Sequence, residues 1–270
     1  MRVLAVTLVK KIPKGEKDWY GAELYQRSFD SIMAQDWDWQ VDHLVMTGGD
    51  RWLHGAHARS TAYLNIARKY ERAREIAVTC GYDAIWQVES DIIVPPDALR
   101  KLAQTDGDII YGLYVWRHGG PKWSWYTTLT ERRGVSVVDT DINLARKSWD
   151  RVVESVGVGD GCTFIRRAAF TQITRHAPSN GWVSCDWMMS LDAQRLGLQQ
   201  KHHLGVICGH IDPNEGNPRI LWPSRLMPNL YETEKLEVNN GSNRSDQSAS
   251  RAGDDLGQPG DGDGQTDGGH

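Results

Sequence analysis

Two carboxylates stand where an apolar run should continue. The stretch AIWQVESDIIVPPDAL, from Ala84 to Leu99, opens as a buried strand. It is broken by Glu89-Ser90-Asp91 and resumes with Ile92-Ile93-Val94, before two prolines and the start of a helix. A charged pair beside an apolar strand is costly unless it is paired or metal-bound. In an extended chain, residues two apart point to the same side, so Glu89 and Asp91 are expected to face one space together. Such a pair suits a hard divalent cation, Mg2+ or Mn2+, which takes oxygen ligands and bridges to substrate phosphates. The plain alternative is an acid pair at the turn before the next helix. A second group of residues lies in YVWRHGGPKWSWY, from Tyr114 to Tyr126, where Trp116, Trp123 and Trp125 alternate with Arg117, His118 and Lys122. Aromatic faces stack on sugar rings and on bases, and Gly-Gly-Pro supplies a turn that could serve as a lid. The alternative is a surface loop with its tryptophans tucked into the core.

The flanking elements alternate. Val3 to Val9 reads as a buried strand, and Tyr20 to Gln35 as a helix with Leu24, Phe29, Ile32 and Met33 near one face. VDHLVMTGGD is a strand ending in a glycine turn. STAYLNIARKYERAREIAVTCGYD is a long helix, with Leu64, Ala67, Ala73, Ile76 and Ala77 inward and Gly81 as its stop. Ile85 to Val88 is the next strand, PPDALRKLAQ a helix with proline in its first turn, and GDIIYGLYVW another strand. This order indicates an α/β fold with a mostly parallel sheet. Ligands of such sheets bind beyond the carboxyl ends of the strands, where Glu89 and Asp91 stand. After Trp116 the pattern loosens into a loop with short strands. SVGVGDGCTFIRRAAF then reads as a glycine-rich approach to a strand and helix, CDWMMSLDAQRLGLQQ as a helix, and KHHLGVICGHID as a strand ending in His210.

Composition sets bounds. The chain has 270 residues, 40% of them hydrophobic, enough for a sizeable core. The net charge of −4 argues against broad electrostatic binding to nucleic acid or anionic membrane. Twelve Trp against three Phe is an unusual balance that favours stacking surfaces or core filling. Cys80, Cys162, Cys185 and Cys208 form no CxxC pair and no disulfide framework, which points to a reducing compartment. The first apolar run is too short for a signal segment or a membrane span, so a cytoplasmic protein is expected. Residues 239–270 are Gly-, Ser- and Asp-rich, with six Asp and two Arg, and are expected to be a disordered acidic tail.

In order and spacing these features resemble the GT-A fold of nucleotide-sugar glycosyltransferases, especially its large family-2-like group. The pieces are the first strand, the SFDSIMAQDW helix, HLVMTGGD, the N-x-x-R helix at Asn65 to Arg68, ESD where a DxD motif is expected, and P-x-A-L at Pro96 to Leu99. The resemblance spans roughly residues 1 to 212. It implies a GT-A (Rossmann-like) α/β domain over 1–238, with a nucleotide-binding half at 1–116 and an acceptor-binding half at 117–238. It also implies roles. Asp91 binds the metal that holds the donor diphosphate, and Glu89, unusual where Asp is common, lies near the ribose or reaches the metal through water, with Ser90 between them. The glycine-rich turn flanks the donor sugar. Asp186, in CDWMMS where the family often has Glu-Asp, is the general base of an inverting transfer; Cys185 replaces the Glu, and helix capping is the competing role. His210 is a third metal ligand, against a capping or core histidine. Thr7, Leu8, Val9, Gly48, Gly49 and Asp50 grip the nucleotide, with Arg59 and Arg68 near phosphate or base; a solvated helix face is the alternative for Arg68. A zinc site at His202, His203, Cys208 and His210 fits no standard spacing.

The expected partners are therefore a nucleoside-diphosphate sugar, a divalent cation (Mn2+ or Mg2+) and an acceptor hydroxyl on a glycan, lipid, protein or modified base. Two other readings remain. A sugar-nucleotide nucleotidyltransferase would carry a glycine cluster after the first strand, which TLVKKIPKGEKDWYG lacks. A non-catalytic scaffold of the same fold, binding a glycan or partner, is suggested by the departures at Glu89 and Cys185.

Overall fold

The computed structural model describes residues 1–9, 19–47, 56–116, 123–132, 135–139, 142–157, 159–177, 184–212, 218–225 and 231–235. The compact unit runs from Met1 to Glu237. The expected disordered tail, 239–270, lies outside the described residues.

The chain begins with β1 (Arg2–Leu8), α1 (Trp19–Met33), β2 (Gln40–Met46), α2 (Ala56–Thr79), β3 (Ala84–Val88) and the short β4 (Ile92–Ile93). It continues through α3 (Ala98–Gln104), β5 (Ile109–Leu113), the hairpin β6 (Thr128–Arg132) and β7 (Val135–Asp139), α4 (Ile142–Lys147), β8 (Val152–Glu154) and β9 (Cys162–Arg166). Then come α5 (Arg167–Phe170), α6 (Cys185–Arg195), β10 (Gln200–Ile207), β11 (Gly209–Asp212), β12 (Arg219–Pro223) and β13 (Tyr231–Lys235). No helix among the described residues is long and apolar enough to cross a membrane.

The central sheet has seven strands in the order β2-β1-β3-β9-β5-β10-β8. Strands β1, β2, β3, β5 and β10 run one way, and β8 and β9 run the other. The mostly parallel sheet is therefore present. The antiparallel β9, which comes after residue 116, is inserted between β3 and β5, which both come before it.

Both faces of this sheet are covered, so its middle strands are apolar throughout rather than alternating. All five residues of β3 and all five of β5 are buried. On one face Val3, Ala5, Trp86, Ile110 and Phe164 pack with Ile32, Leu99 and Leu102 of α1 and α3. On the other, Leu4, Val6, Ile85, Tyr111 and Ile165 pack with Ala67, Tyr70, Ala73 and Ala77 of α2, Phe170 of α5 and Met189 of α6. Each large side chain so buried contributes about 1.5–3 kcal/mol.

Gly81 stops α2 as its sequence predicts. It adopts φ +71°, while Tyr82 N–H bonds to Ala77 O at 3.0 Å and Gly81 N–H to Val78 O at 3.3 Å. This is a Schellman ending, which only glycine enters without steric cost. The prolines before α3 fall just outside the helix. Ala98 N–H bonds to Pro95 O at 3.0 Å, and Gln35 accepts from Leu99 N–H at 2.9 Å.

A second, antiparallel sheet runs β13-β12-β11-β4. The predicted single strand ending at His210 is in fact two. β10 ends at Ile207, Cys208 N–H bonds to Leu113 O at 2.7 Å, and the chain crosses into β11, whose second residue is His210.

Candidate functional site

The carboxyl ends of β1, β3, β5 and β10 and the start of β9 meet at one edge, because Val88 at the end of β3 pairs with Cys162 at the start of β9. Glu89-Ser90-Asp91 lies there. It is not extended, as the two-residue spacing had suggested. Ile92 N–H bonds to Glu89 O at 3.0 Å, closing a turn, and Glu89 N–H bonds to Gly161 O at 3.0 Å. Ser28 of α1 supports the turn through Ile92 O at 2.6 Å. The turn ends the buried strand just before the charges, which spares both carboxylates full burial.

β11 lies alongside this turn. His210 is in register with Ile92 of β4, and Ile211 N–H bonds to Asp91 O at 2.8 Å. The pairing brings His210 Nε2 to 3.6 Å from Asp91 Oδ2. His210 Nδ1 lies 2.6 Å from Val115 O. A carbonyl only accepts, so Nδ1 carries the proton and, in the neutral ring, Nε2 presents its lone pair. Nε2 is buried and has no hydrogen-bond partner among the described residues. A lone pair and a carboxylate oxygen face each other across a gap too long for a hydrogen bond. Two bonds of about 2.1 Å to one shared cation span such a gap. The donor set therefore fits a divalent ion completed by substrate oxygens. No three His, Cys, Asp or Glu side chains among the described residues gather in a metal-holding group.

The other wall is the glycine-rich turn before β9. Gly159 has φ +111°, and a Cβ there would overlap the hydroxyl of Tyr114. A Cβ at Gly161 would stand 2.7 Å from the same ring. Asp160, between them, forms a buried ion pair with Arg175. Arg175 reaches Gln87 Oε1 of β3 at 3.3 Å and lies 4.7 Å above the Tyr70 ring of α2. It also contacts Met189 of α6. Burial pushes the Asp160 carboxyl up to about 6, with Arg175 pulling it down and Asp186 adding to the rise. Asp160 Oδ1 and Arg175 Nε have no partner among the described residues.

Asp186 sits in the first turn of α6, after Ser184 at the N-cap position, whose side chain makes no cap bond. Its Oδ1 accepts from Trp187 N–H at 3.0 Å. Asp186 thus supports the helix end as a capping acid does. Its charge helps raise the buried hydroxyls of Tyr114 and Tyr126, in each case after burial itself.

The remaining expected residues divide. Trp116 is half-buried and meets Tyr126 edge-on at 6.4 Å. Trp123 and Trp125 are corrected: their exposures are 1% and 0%, so neither offers a face to an acceptor. They pack with Leu113 and Leu204, and Trp125 Nε1 donates to Glu154 O at 3.0 Å. The core-filling alternative holds for both. Thr7 is buried with its hydroxyl 2.9 Å from His43 Nε2. Val9 is partly buried just past β1, and Ser90 is partly buried in the turn. Arg68 is exposed on α2, as its solvated alternative requires. Gly48, Gly49, Asp50, Arg117 and His118, and the side chain of Arg59, lie outside the described residues.

Tyr114, Asp160 and Arg175 were missed as site residues. An Asp flanked by glycines in GVGDGCT was a usable signal for Asp160. Arg175 follows α5 with no local pattern, and only the fold brings it under the site.

No protein-family model matches the sequence, and no curated protein matches it. Among solved structures, A197 from STIV is 14% identical, covers 89% of this chain and 100% of its own, and has a TM-score of 0.50. TarS 1-349 of S. aureus, in complex with UDP-GlcNAc, is 10% identical over 75% of this chain and 56% of its own, with a TM-score of 0.41. The inositol-1-phosphate CTP transferase from T. maritima is 12% identical over 74% of this chain and 84% of its own, with a TM-score of 0.41. The likeness to A197 is one of fold, and the two lower scores carry no further argument.

Proposed function

We propose that the chain is a metal-dependent glycosyltransferase that moves a sugar from a nucleoside-diphosphate donor to an acceptor hydroxyl with inversion. The observation that carries this reading is the His210–Asp91 pair. The protonated Nδ1 is held by Val115 O at 2.6 Å, and the unpartnered Nε2 faces Asp91 Oδ2 at 3.6 Å. A backbone carbonyl that fixes the tautomer is the usual support of a metal-binding histidine. The pair stands at the carboxyl edge of a mostly parallel sheet, where such folds bind ligands.

Asp91 and His210 would hold the cation, which when bound neutralises charge on the departing diphosphate. Asp186 takes the proton of the acceptor hydroxyl as its oxygen attacks the anomeric carbon and the bond to the diphosphate breaks. Trp116, backed by the buried Tyr126 ring, supplies the aromatic side of the acceptor site.

The test is thermal unfolding with UDP-, GDP-, TDP- and CMP-linked sugars, each with and without Mn2+. A donor at about one hundred times its Kd stabilises by about 2.7 kcal/mol. Stabilisation by one donor class, only with metal and lost in Asp91→Ala and His210→Ala, is expected. A full panel without effect would sink the reading.

A further inference from the structure

Tyr114 follows β5 and is 4% exposed. Its backbone is fixed twice by Ser124: Tyr114 N–H donates to Ser124 Oγ at 3.1 Å, and Ser124 N–H donates to Tyr114 O at 2.8 Å. The ring meets the His210 imidazole edge-on, with centroids 5.5 Å apart and planes at 88°. The same ring also presses on the glycine turn, with no room for a side chain at Gly159 or Gly161. The next residue, Val115, supplies the carbonyl that holds His210 Nδ1. Two consecutive residues thus constrain the same imidazole, one through its proton and one through its plane.

We infer that Tyr114 is a positioning residue for His210: its ring, wedged between the glycine turn and the imidazole, fixes the direction in which Nε2 faces Asp91. The inference rests on the metal-holding role proposed for His210. Val115 O alone leaves the imidazole free to swing about the Nδ1 bond. Tyr114 removes that freedom, and the glycines remove the space into which Tyr114 would retreat. Burial, with Glu89 and Asp186 close by, keeps the phenol neutral, so the wedge adds no charge to the cation site.

The experiment is Mn2+ binding by the full chain, read from the loss of the free-ion electron paramagnetic resonance signal. No sugar donor or acceptor is needed; binding is read with and without UDP, whose oxygens would complete the ion's shell. Wild type is expected to bind Mn2+ in a manner abolished by His210→Ala. Tyr114→Leu is expected to weaken binding 10–100-fold, the usual effect of losing a group that orients a metal ligand. Tyr114→Phe keeps the ring and is expected to rescue most of that loss. Gly161→Ala pushes on the ring from the glycine turn and is expected to weaken binding in the same sense, which keeps the test available if Tyr114→Leu does not fold. Arg166→Ala, at the opposite end of the sheet, serves as a control that lowers thermal stability without changing Mn2+ affinity. Wild-type affinity in folded Tyr114→Leu or Gly161→Ala, or failure of Phe to rescue, would overturn the wedge while leaving the metal role intact. Absence of His210-dependent Mn2+ binding in wild type would remove the metal role and the wedge together.

Discussion

The two ends of the central sheet handle buried and half-buried polar groups in opposite ways. At the amino end they are saturated. Arg2 donates to Asp42 at 2.9 Å, to Cys80 O at 2.9 Å and to Tyr82 at 3.1 Å. Arg166, at the end of β9, fills the carbonyls of Gly107, Ala103 and Thr105 at 2.7–2.9 Å. At the carboxyl end His210 Nε2, Asp160 Oδ1 and Arg175 Nε are buried without partners among the described residues. Unpaired buried polar atoms cost stability; besides these, Trp86 Nε1, Trp123 Nε1 and His202 Nε2 are also unpartnered among the described residues, within the body of the core. The amino end is closed by its own hydrogen bonds; under the proposed function the carboxyl end would be completed by a cation and a substrate.

The largest test of this contrast is Arg175→Ala, which strands Asp160 in the interior. A loss of about 3–5 kcal/mol in urea unfolding is expected. Replacing both partners, Asp160→Leu with Arg175→Met, should recover most of it, because removing a buried pair costs far less than breaking one. If the single substitution costs under about 1 kcal/mol, the pair is better solvated than its burial indicates.

His202 gives the next effect. It lies between the two ends, fully buried, with Nδ1 2.9 Å from Ser155 Oγ and its ring stacked on Tyr111 at 4.9 Å. Burial pushes it down to about 3 from the ordinary 6.5. A depressed folded value means that its contribution is present above about 6.5 and is lost as pH falls toward 3. Between about pH 7.5 and about pH 5 the loss is about 2 kcal/mol. His202→Phe, which keeps the stack but cannot titrate, should flatten that part of the stability–pH curve; an unchanged slope would assign the loss to other groups.

Smaller effects belong to the amino end. Arg166→Ala should cost about 1–2 kcal/mol through three deserted carbonyls. Gly81→Ala should cost about 1 kcal/mol, because φ +71° strains any side chain. Neither should alter metal-dependent donor binding. A change in that binding would show that the two ends are coupled, and would blur the contrast.

Much of the fold was legible because its signals are local. β1, β3 and β5 are continuous apolar runs, and α2 carries a helical stripe ending in a glycine. The site was legible only in part. Asp91 and His210 were named from resemblance, yet the geometry that joins them depends on β4, a strand of two residues, pairing with β11 across the chain. No periodicity marks so short a strand. Period-two reasoning failed at Glu89 and Asp91 because the backbone turns there, and a turn obeys no strand alternation. Trp123 and Trp125 misled for a different reason. A tryptophan suited to stacking on a sugar is equally suited to filling a core, and composition does not distinguish the two.

The placement of β9 bears on the order in which the molecule can be assembled. β3 and β5 leave the ribosome long before β9, yet in the finished sheet they touch only through it. The early chain must therefore keep two apolar strands apart, or let them pair wrongly and separate again, until Arg166 has emerged. Contacts of such sequence separation slow folding and expose sticky edges meanwhile. During synthesis, the vulnerable stretch of this chain is the interval between its fifth strand and its ninth.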